Sequence, residues 1–294
     1  MYGFFFCLSA QVKHRFVNVL VLAQLIEVGT SAGGARAKAV VGWNPKTETF
    51  ISGQLEIPEG FEPWIIKLDT TQSDDSAGSG QYGRIEYAYH VMAQACGIDM
   101  SPSQLYEIGG RAHFMTKRFD HGPNNTKHHV QTLCAMKGMD YNALRVHDYA
   151  QLFVTAGELN LSYEAYDELF RRMVFNVAFS NNDDHTKNHG FMLKESEVWQ
   201  LAPAYDITHA RNSNAYAWTK AHIMGVGGVF ENITRKDILK MSAPYPVKNP
   251  EQIINDILGV ADSWPEFARK AGLSAARTDR VGNDITACCA LLKA

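Results

Sequence analysis

Two hydrophobic rhythms divide the chain. Up to about residue 120 the apolar residues come in short runs that are β-branched or aromatic and bounded by Gly, Pro or Asp. Ala39-Val40-Val41 and Trp64-Ile65-Ile66-Lys67-Leu68 therefore read as strands, with a turn at Asn44-Pro45-Lys46-Thr47 between them. Residues 73–83 are polar and glycine-rich and read as a loop; a helix is predicted from about Arg84 to Ala95, ended by Gly97. Residues 116–120 close a further strand, and Gly122-Pro123-Asn124-Asn125 looks like a boundary. Beyond it the period lengthens. Tyr166, Leu169, Phe170, Met173, Val174 and Val177 recur at helical spacing behind a candidate N-cap, Ser162. Asn249 and Pro250 open another helix, and the last twenty or so residues, to Leu292, form a terminal one. The pattern predicts an α+β fold of two lobes: a β-rich N-lobe over 1–119, a mostly helical C-lobe over 120–294, and a cleft between them.

Composition adds exclusions. With 294 residues, 46% hydrophobic and 20% charged, the chain is an ordinary soluble globular protein large enough for a sizeable core. The balance of 28 basic and 31 acidic residues, without any block of like charge, argues against direct nucleic-acid binding. The five cysteines (Cys7, Cys96, Cys134, Cys288 and Cys289) are odd in number, include no CxxC pair and have two neighbours in sequence. That usage suits reduced thiols in a cytoplasmic protein. No apolar run reaches the length that spans a bilayer. The opening Gly3-Phe4-Phe5-Phe6-Cys7-Leu8 lacks preceding basic residues and a clear cleavage site, so it reads as core or as an unusual chain start, not a signal peptide.

The chemistry concentrates in Asn181-Asn182-Asp183-Asp184-His185-Thr186-Lys187-Asn188, directly after the apolar helix. Asp183 and Asn188 have the Asp-to-Asn interval of a phosphoryl-transfer loop, where a carboxylate accepts the substrate hydroxyl proton and an amide oxygen holds Mg²⁺. Phe191-Met192-Leu193 and Val198-Trp199-Gln200-Leu201 flank a polar turn and predict a hairpin. A hairpin returns the chain to its starting end, so Asp206 should lie near Asn188 as a second metal ligand. Single loop aspartates are usually turn or cap residues; three on one hairpin favour the metal. Lys67 stands in an apolar strand, where an unpaired ammonium is costly, although a lysine snorkelling from a sheet edge is common. Glu86, early in the following helix, is its candidate partner. The loop Thr30-Ser31-Ala32-Gly33-Gly34-Ala35-Arg36-Ala37-Lys38 resembles a phosphate cover, or is simply a turn. His185 and His189 are four apart, but no Glu follows the first and the segment does not look helical. A zinc site is disfavoured and His185 is read as a brace for the loop.

Together these residues resemble the HipA family, bacterial toxin kinases with a distant protein-kinase-like fold. The resemblance implies an ATP- and Mg²⁺-dependent serine/threonine kinase. Asp183 would be the base, Asn188 and Asp206 (in Tyr205-Asp206-Ile207) the metal ligands, and Lys67 the ATP lysine; Glu86, His185 and Lys187 join them as candidate catalytic residues. The KRFD-like hinge is matched by Lys117, Arg118, Phe119 and Asp120, with backbone near adenine and Asp120 towards the ribose. In the phosphate-covering loop Gly33, Gly34 and Lys38 would bind the nucleotide, and Ser31 is matched to an autophosphorylated serine. The implied partners are a protein substrate such as an aminoacyl-tRNA synthetase and a HipB-like DNA-binding antitoxin. The family's additional N-terminal subdomain has no counterpart in the 28 residues before Gly29, so a small separate protein replacing it is a further expected partner. Two rivals remain: a catalytically quiet kinase-like module that binds an antitoxin, and a Mg²⁺-dependent nuclease.

Overall fold

The computed structural model describes residues 37–54, 56–69, 81–122, 126–194, 198–212 and 218–294. The opening apolar segment with Cys7, the loop bearing Ser31, Gly33 and Gly34, most of the 73–83 loop and the tip of the predicted hairpin lie outside them.

The described residues divide into two compact units. One takes the chain up to Arg84 together with Pro102–Thr126; the other takes Ile85–Ser101 and Lys127–Ala294. The first unit is an antiparallel sheet of β1 (Lys38–Asn44), β2 (Thr49–Ser52), β3 (Glu62–Lys67), β4 (Ser103–Ile108) and β5 (Arg111–Lys117), in the order β2-β1-β3-β5-β4. The β1–β2 turn forms because the Asn44 side-chain oxygen accepts from the amides of Lys46 and Thr47 at 3.0 and 3.2 Å. Period-two alternation puts Ala39, Val41, Trp43, Trp64, Ile66 and Leu68 in one buried cluster with Phe50 and Met115. The other face of β1 and β3 carries Lys38 and Lys67, which are direct cross-strand partners.

Helix α1 (Tyr82–Ala95) begins in the sheet unit and continues into the helical one. Its Ile85, Ala88, Tyr89, Met92 and Ala93 join the large helical core, and the Tyr89 hydroxyl donates to the Phe179 carbonyl at 2.6 Å. It ends at left-handed Gly97 (φ 77°). The rest of this unit is built on α2 (Leu133–Lys137), α3 (Tyr149–Glu158), α4 (Tyr163–Ala178), α5 (Arg235–Ser242), α6 (Pro250–Ala261), α7 (Trp264–Lys270) and α8 (Ala275–Lys293). Strands β6 (His129–Thr132), β8 (Gly190–Leu193) and β9 (Trp199–Leu201) make an antiparallel sheet, while β7 (His147–Asp148) pairs in parallel with β10 (Met224–Gly225).

The apolar stripe read from the sequence is the buried face of α4: Leu169, Phe170, Met173 and Val174 are each fully buried. At roughly 1.5–3 kcal/mol for each such side chain, α4 is a rigid base for the loop that leaves it. Ser162 occupies the N-cap position with extended backbone but makes no side-chain capping bond. No helix among the described residues is long and apolar enough to cross a membrane.

Candidate active site

After α4 the chain passes through Phe179 and the left-handed Ser180 (φ 54°) into residues 181–188. The two aspartates there have opposite fates. Asp184 is 1% exposed and surrounded by donors. Its Oδ2 accepts from the Tyr149 hydroxyl at 2.8 Å and lies 2.8 Å from His222 Nδ1. Its Oδ1 accepts from the amides of Ile223 and Met224 at 2.8 and 3.2 Å. Burial, then the Asp184 charge beside it, pushes the Tyr149 hydroxyl well above its ordinary pKa and keeps it a donor. Behind it, Asn176 Nδ2 donates to the Tyr149 oxygen and Asn181 Nδ2 to Asn176 Oδ1, both at 2.9 Å. Asp184 is thus a structural keystone.

Asp183 is half-exposed. Asn188 Nδ2 donates to its backbone carbonyl at 2.8 Å, and His185 Nε2 lies 3.5 Å from its Oδ1. Burial lowers the His185 pKa, so the ring is a neutral brace beside this carboxylate. Contrary to the sequence reading, residues Thr186–Asn188 form one turn of 3₁₀-helix, closed by Asn188 N–H donating to the His185 carbonyl at 2.8 Å.

The hairpin forms as the pattern predicts: β8 pairs antiparallel with β9, and Ala202 N–H donates to the Gly190 carbonyl at 3.0 Å. The returning segment is then anchored from α4. Arg172 Nη1 donates to the Ala202 carbonyl at 2.9 Å and its Nε to Glu168 at 2.7 Å. Glu168 also accepts from the Asp99 amide at 3.1 Å, while the Ala204 amide donates to the Asp99 carbonyl at 2.8 Å. The Tyr205 hydroxyl donates to the Lys187 carbonyl at 2.8 Å. Asn188 and Asp206 consequently line the same small cavity, about 10 Å³ and so the size of a single water. Arg172, Tyr149, His222 and Tyr205 were not singled out in the sequence. The available signal was a charged residue inside an apolar helical stripe for Arg172, and adjacency to Asp206 for Tyr205.

The donor set suits Mg²⁺. With its Nδ2 engaged, Asn188 presents its oxygen as the acceptor. Asp206 adds a carboxylate, and the buried Asn181 Oδ1 on the same cavity has no hydrogen-bond partner among the described residues. Mg²⁺ is usually held by one or two such oxygens, completed by phosphates and water. No group of three His, Cys, Asp or Glu able to hold an ion occurs among the described residues, so a ready-made all-protein cage of those side chains is not offered.

In the sheet unit, Lys67 Nζ lies 5.8 Å from the Phe114 ring centre, with Lys38 opposite on the same face. Glu86 is buried on α1. Strand β5 ends at Lys117, whose Nζ pairs with Glu62 at 2.9 Å. Arg118 holds Asp120 with two bonds, 2.9 and 2.6 Å. Burial alone would raise the Asp120 pKa, but Arg118 brings it below the usual carboxylate value. Phe119 lies half-buried in the turn between them.

A sheet-rich N-terminal part followed by a largely helical C-terminal part is the plan of a kinase-like fold. The family follows from direct comparison. The chain matches the family model described as HipA-like C-terminal domain over residues 30–289, and belongs to that family. Among solved structures it resembles HipA of Shewanella oneidensis MR-1, from a complex of the toxin–antitoxin system HipA, HipB and its operator DNA. There the TM-score is 0.67 and the identity 16%, over 90% of this chain and 65% of that one. It also resembles the Helicobacter pylori proinflammatory kinase CtkA, with a TM-score of 0.51 and 14% identity over 79% of this chain and 88% of that one. The chain thus spans less than two thirds of the HipA it matches. No curated protein matches it.

Proposed function

We propose that this chain is a serine/threonine protein kinase of the HipA type, using ATP and Mg²⁺. The observation that carries the reading is that Asn188 and Asp206, eighteen residues apart in sequence, line one cavity, and that Asn188 is bonded to the backbone carbonyl of the half-exposed Asp183. Asp183 accepts the proton of the acceptor hydroxyl as that oxygen bonds to the γ-phosphorus and the bond to the β–γ bridging oxygen breaks, releasing ADP. Lys38 and Lys67 hold phosphates, and Asn188 and Asp206 hold the ion. Bound Mg²⁺ would supply charge neutralisation of the transferring group. His185 keeps the Asp183 carboxylate in place. The hinge residues 117–120 bind adenine through backbone groups, and Asp120 turns to the ribose only on leaving Arg118.

By family likeness, the acceptor is a serine or threonine of a translation protein such as an aminoacyl-tRNA synthetase. A HipB-like antitoxin is the proposed partner, because the Shewanella relative is found with HipB. Ser31 is a proposed autophosphorylation site; its phosphate would add roughly −1.5 to −2 charge and repel the nucleotide. Mass spectrometry of active protein that finds Ser31 unmodified and label elsewhere rejects that site.

The main test is incubation with labelled ATP and a cell extract, comparing wild type with Asp183→Asn. The substitution is nearly isosteric and leaves intact the Asp183 carbonyl that orients Asn188, so fold and ATP binding persist while transfer falls ~10²–10⁴-fold. Transfer within a few-fold of wild type rejects Asp183 as the base. The ion pairs that occupy Lys117 and Asp120 favour one rival, a quiet regulatory module. That rival predicts no labelling by wild type, with stabilisation by an antitoxin alone.

A further inference from the structure

We infer that Lys187 is the point where the base-bearing loop is locked to the metal-binding segment, by the Tyr205 hydroxyl on one side and the Tyr141 ring on the other, which makes both tyrosines positioning residues. The inference rests on the phosphoryl-transfer reading above and deepens it.

The bond from the Tyr205 hydroxyl to the Lys187 carbonyl, 2.8 Å long, joins the residue before Asp206 to the residue before Asn188. This hydrogen bond therefore ties the two candidate ligands directly to each other, in addition to the anchoring from α4. Two further features agree with this. Asp206 is left-handed (φ 55°), a conformation that aspartate tolerates better than most side chains and that fits a tightly turned segment. Gly190 makes room for the tyrosine: a Cβ there would stand 3.2 Å from both the Tyr205 hydroxyl oxygen and Cε1.

The opposite end of Lys187 is held differently. Its ammonium lies 4.7 Å from the centre of the Tyr141 ring, a cation–π contact. The same ring meets His185 edge-on at 5.3 Å and 69°. Tyr141 is placed by a tight turn in which the Asp140 carbonyl accepts from Ala143 N–H at 3.1 Å and lies 2.7 Å from His147 Nε2. The Tyr141 hydroxyl makes no hydrogen bond among the described residues, so here the ring face is what acts.

Ordinary packing would tolerate phenylalanine at both positions; the lock tolerates it only at 141. The full chain is compared as wild type, Y205F, Y141F and Y141A by transfer kinetics, thermal melting and amide exchange across residues 183–190. Y205F is expected to lower kcat about tenfold, the upper end of what one hydrogen bond contributes. KM for the acceptor should not change, amide exchange near Lys187 should quicken, and melting should shift by only a few degrees. Y141F stays within about twofold of wild type while Y141A falls with Y205F, so the ring is rescued and the hydroxyl is not. Y205F and Y141A both behaving as wild type, in rate and exchange, would overturn the inference. Wild type that never transfers phosphate sinks the kinase reading alone, since the exchange pattern still decides whether the lock exists. Should Y205F fail to fold, G190A presses on the hydroxyl without removing it. The same loss of rate and protection is then expected, and their preservation in G190A counts against the lock.

Discussion

Replacing Asp184 by alanine should unfold the protein sooner without touching its chemistry directly. The carboxylate serves four buried groups: the Tyr149 hydroxyl, His222 Nδ1 and the amides of Ile223 and Met224. Each buried donor left without an acceptor costs ~1–3 kcal/mol. The four share one site, and water entering the space would satisfy some of them, so the sum overstates the loss. About 3–5 kcal/mol, the scale for breaking a buried charged network, is the expected cost. At roughly 2–4 °C for each kcal/mol in a unit of this size, the melting temperature should drop by about 10 °C. Asp183→Ala, at a side chain that is 30% exposed, should cost about 1 kcal/mol or less. Calorimetric melting reads the stability, and titration of Mg·ATP well below the transition reads the site. Asp206→Ala and Asn188→Ala should show the converse pattern, with melting little changed and Mg·ATP affinity reduced. A fall of under about 2 °C for Asp184→Ala refutes the keystone reading. Equal affinity losses at positions 184, 188 and 206 in folded protein refute the assignment of ligands.

Two other outcomes follow from buried titratable groups. Burial lowers the His90 pKa from 6.5 to about 4, so between those values the unfolded chain binds a proton that the folded chain refuses. His90 therefore costs nothing above about pH 6.5 and removes stability progressively as the pH falls towards 4. The drop in melting temperature from pH 7 to 4.5 should be smaller in His90→Gln, and equal drops would contradict the burial argument. Burial likewise raises the thiols of Cys96 and Cys289 to about 12, which leaves almost no thiolate at neutral pH. Among the described cysteines, maleimide should label Cys134 and Cys288 in the native protein and reach the other two only on unfolding; early labelling of Cys96 would be the contrary result.

What the sequence makes legible here is whatever repeats at short range. Strands β1 and β3, the stripe of α4 and the hairpin that brings Asp206 back to Asn188 each follow from local spacing. What it hides depends on partners remote in the chain. Asp183 and Asp184 are adjacent and chemically identical; only Tyr149 and His222, 35 and 38 residues away from Asp184, decide which carboxylate is consumed by the fold. The apolar face of α1 is equally plain in sequence, yet nothing local says that from Ile85 onward it joins the helical core. Asp120 illustrates a third limit, because the guanidinium that occupies it stands only two residues before it and competes with any ligand role.

One signal for the site was present and went unread, and it lies in α4. Glu168, Arg172 and Asn176 are spaced by four, so they form a polar stripe along a helix whose other positions are largely core. Arg172 and Asn176 are only 5% and 4% exposed, a burial that is expensive unless every group finds a partner. A stripe of that kind predicts that something polar must be packed against it. The structure supplies two such things at successive heights. Glu168 and Arg172 take the Asp99 amide and the Ala202 carbonyl, which fixes the strand leading to Asp206. One turn on, Asn176 takes the Tyr149 oxygen and the Asn181 amide, which fixes the loop that presents Asp183 and Asn188. The same helix thus sets the position of both halves of the candidate site relative to each other. A change such as Arg172→Met would roughly keep the volume, but would take the guanidinium donors from the Ala202 carbonyl and from Glu168, which keeps only the Asp99 amide, so the Asp206 segment is the first part expected to lose its place.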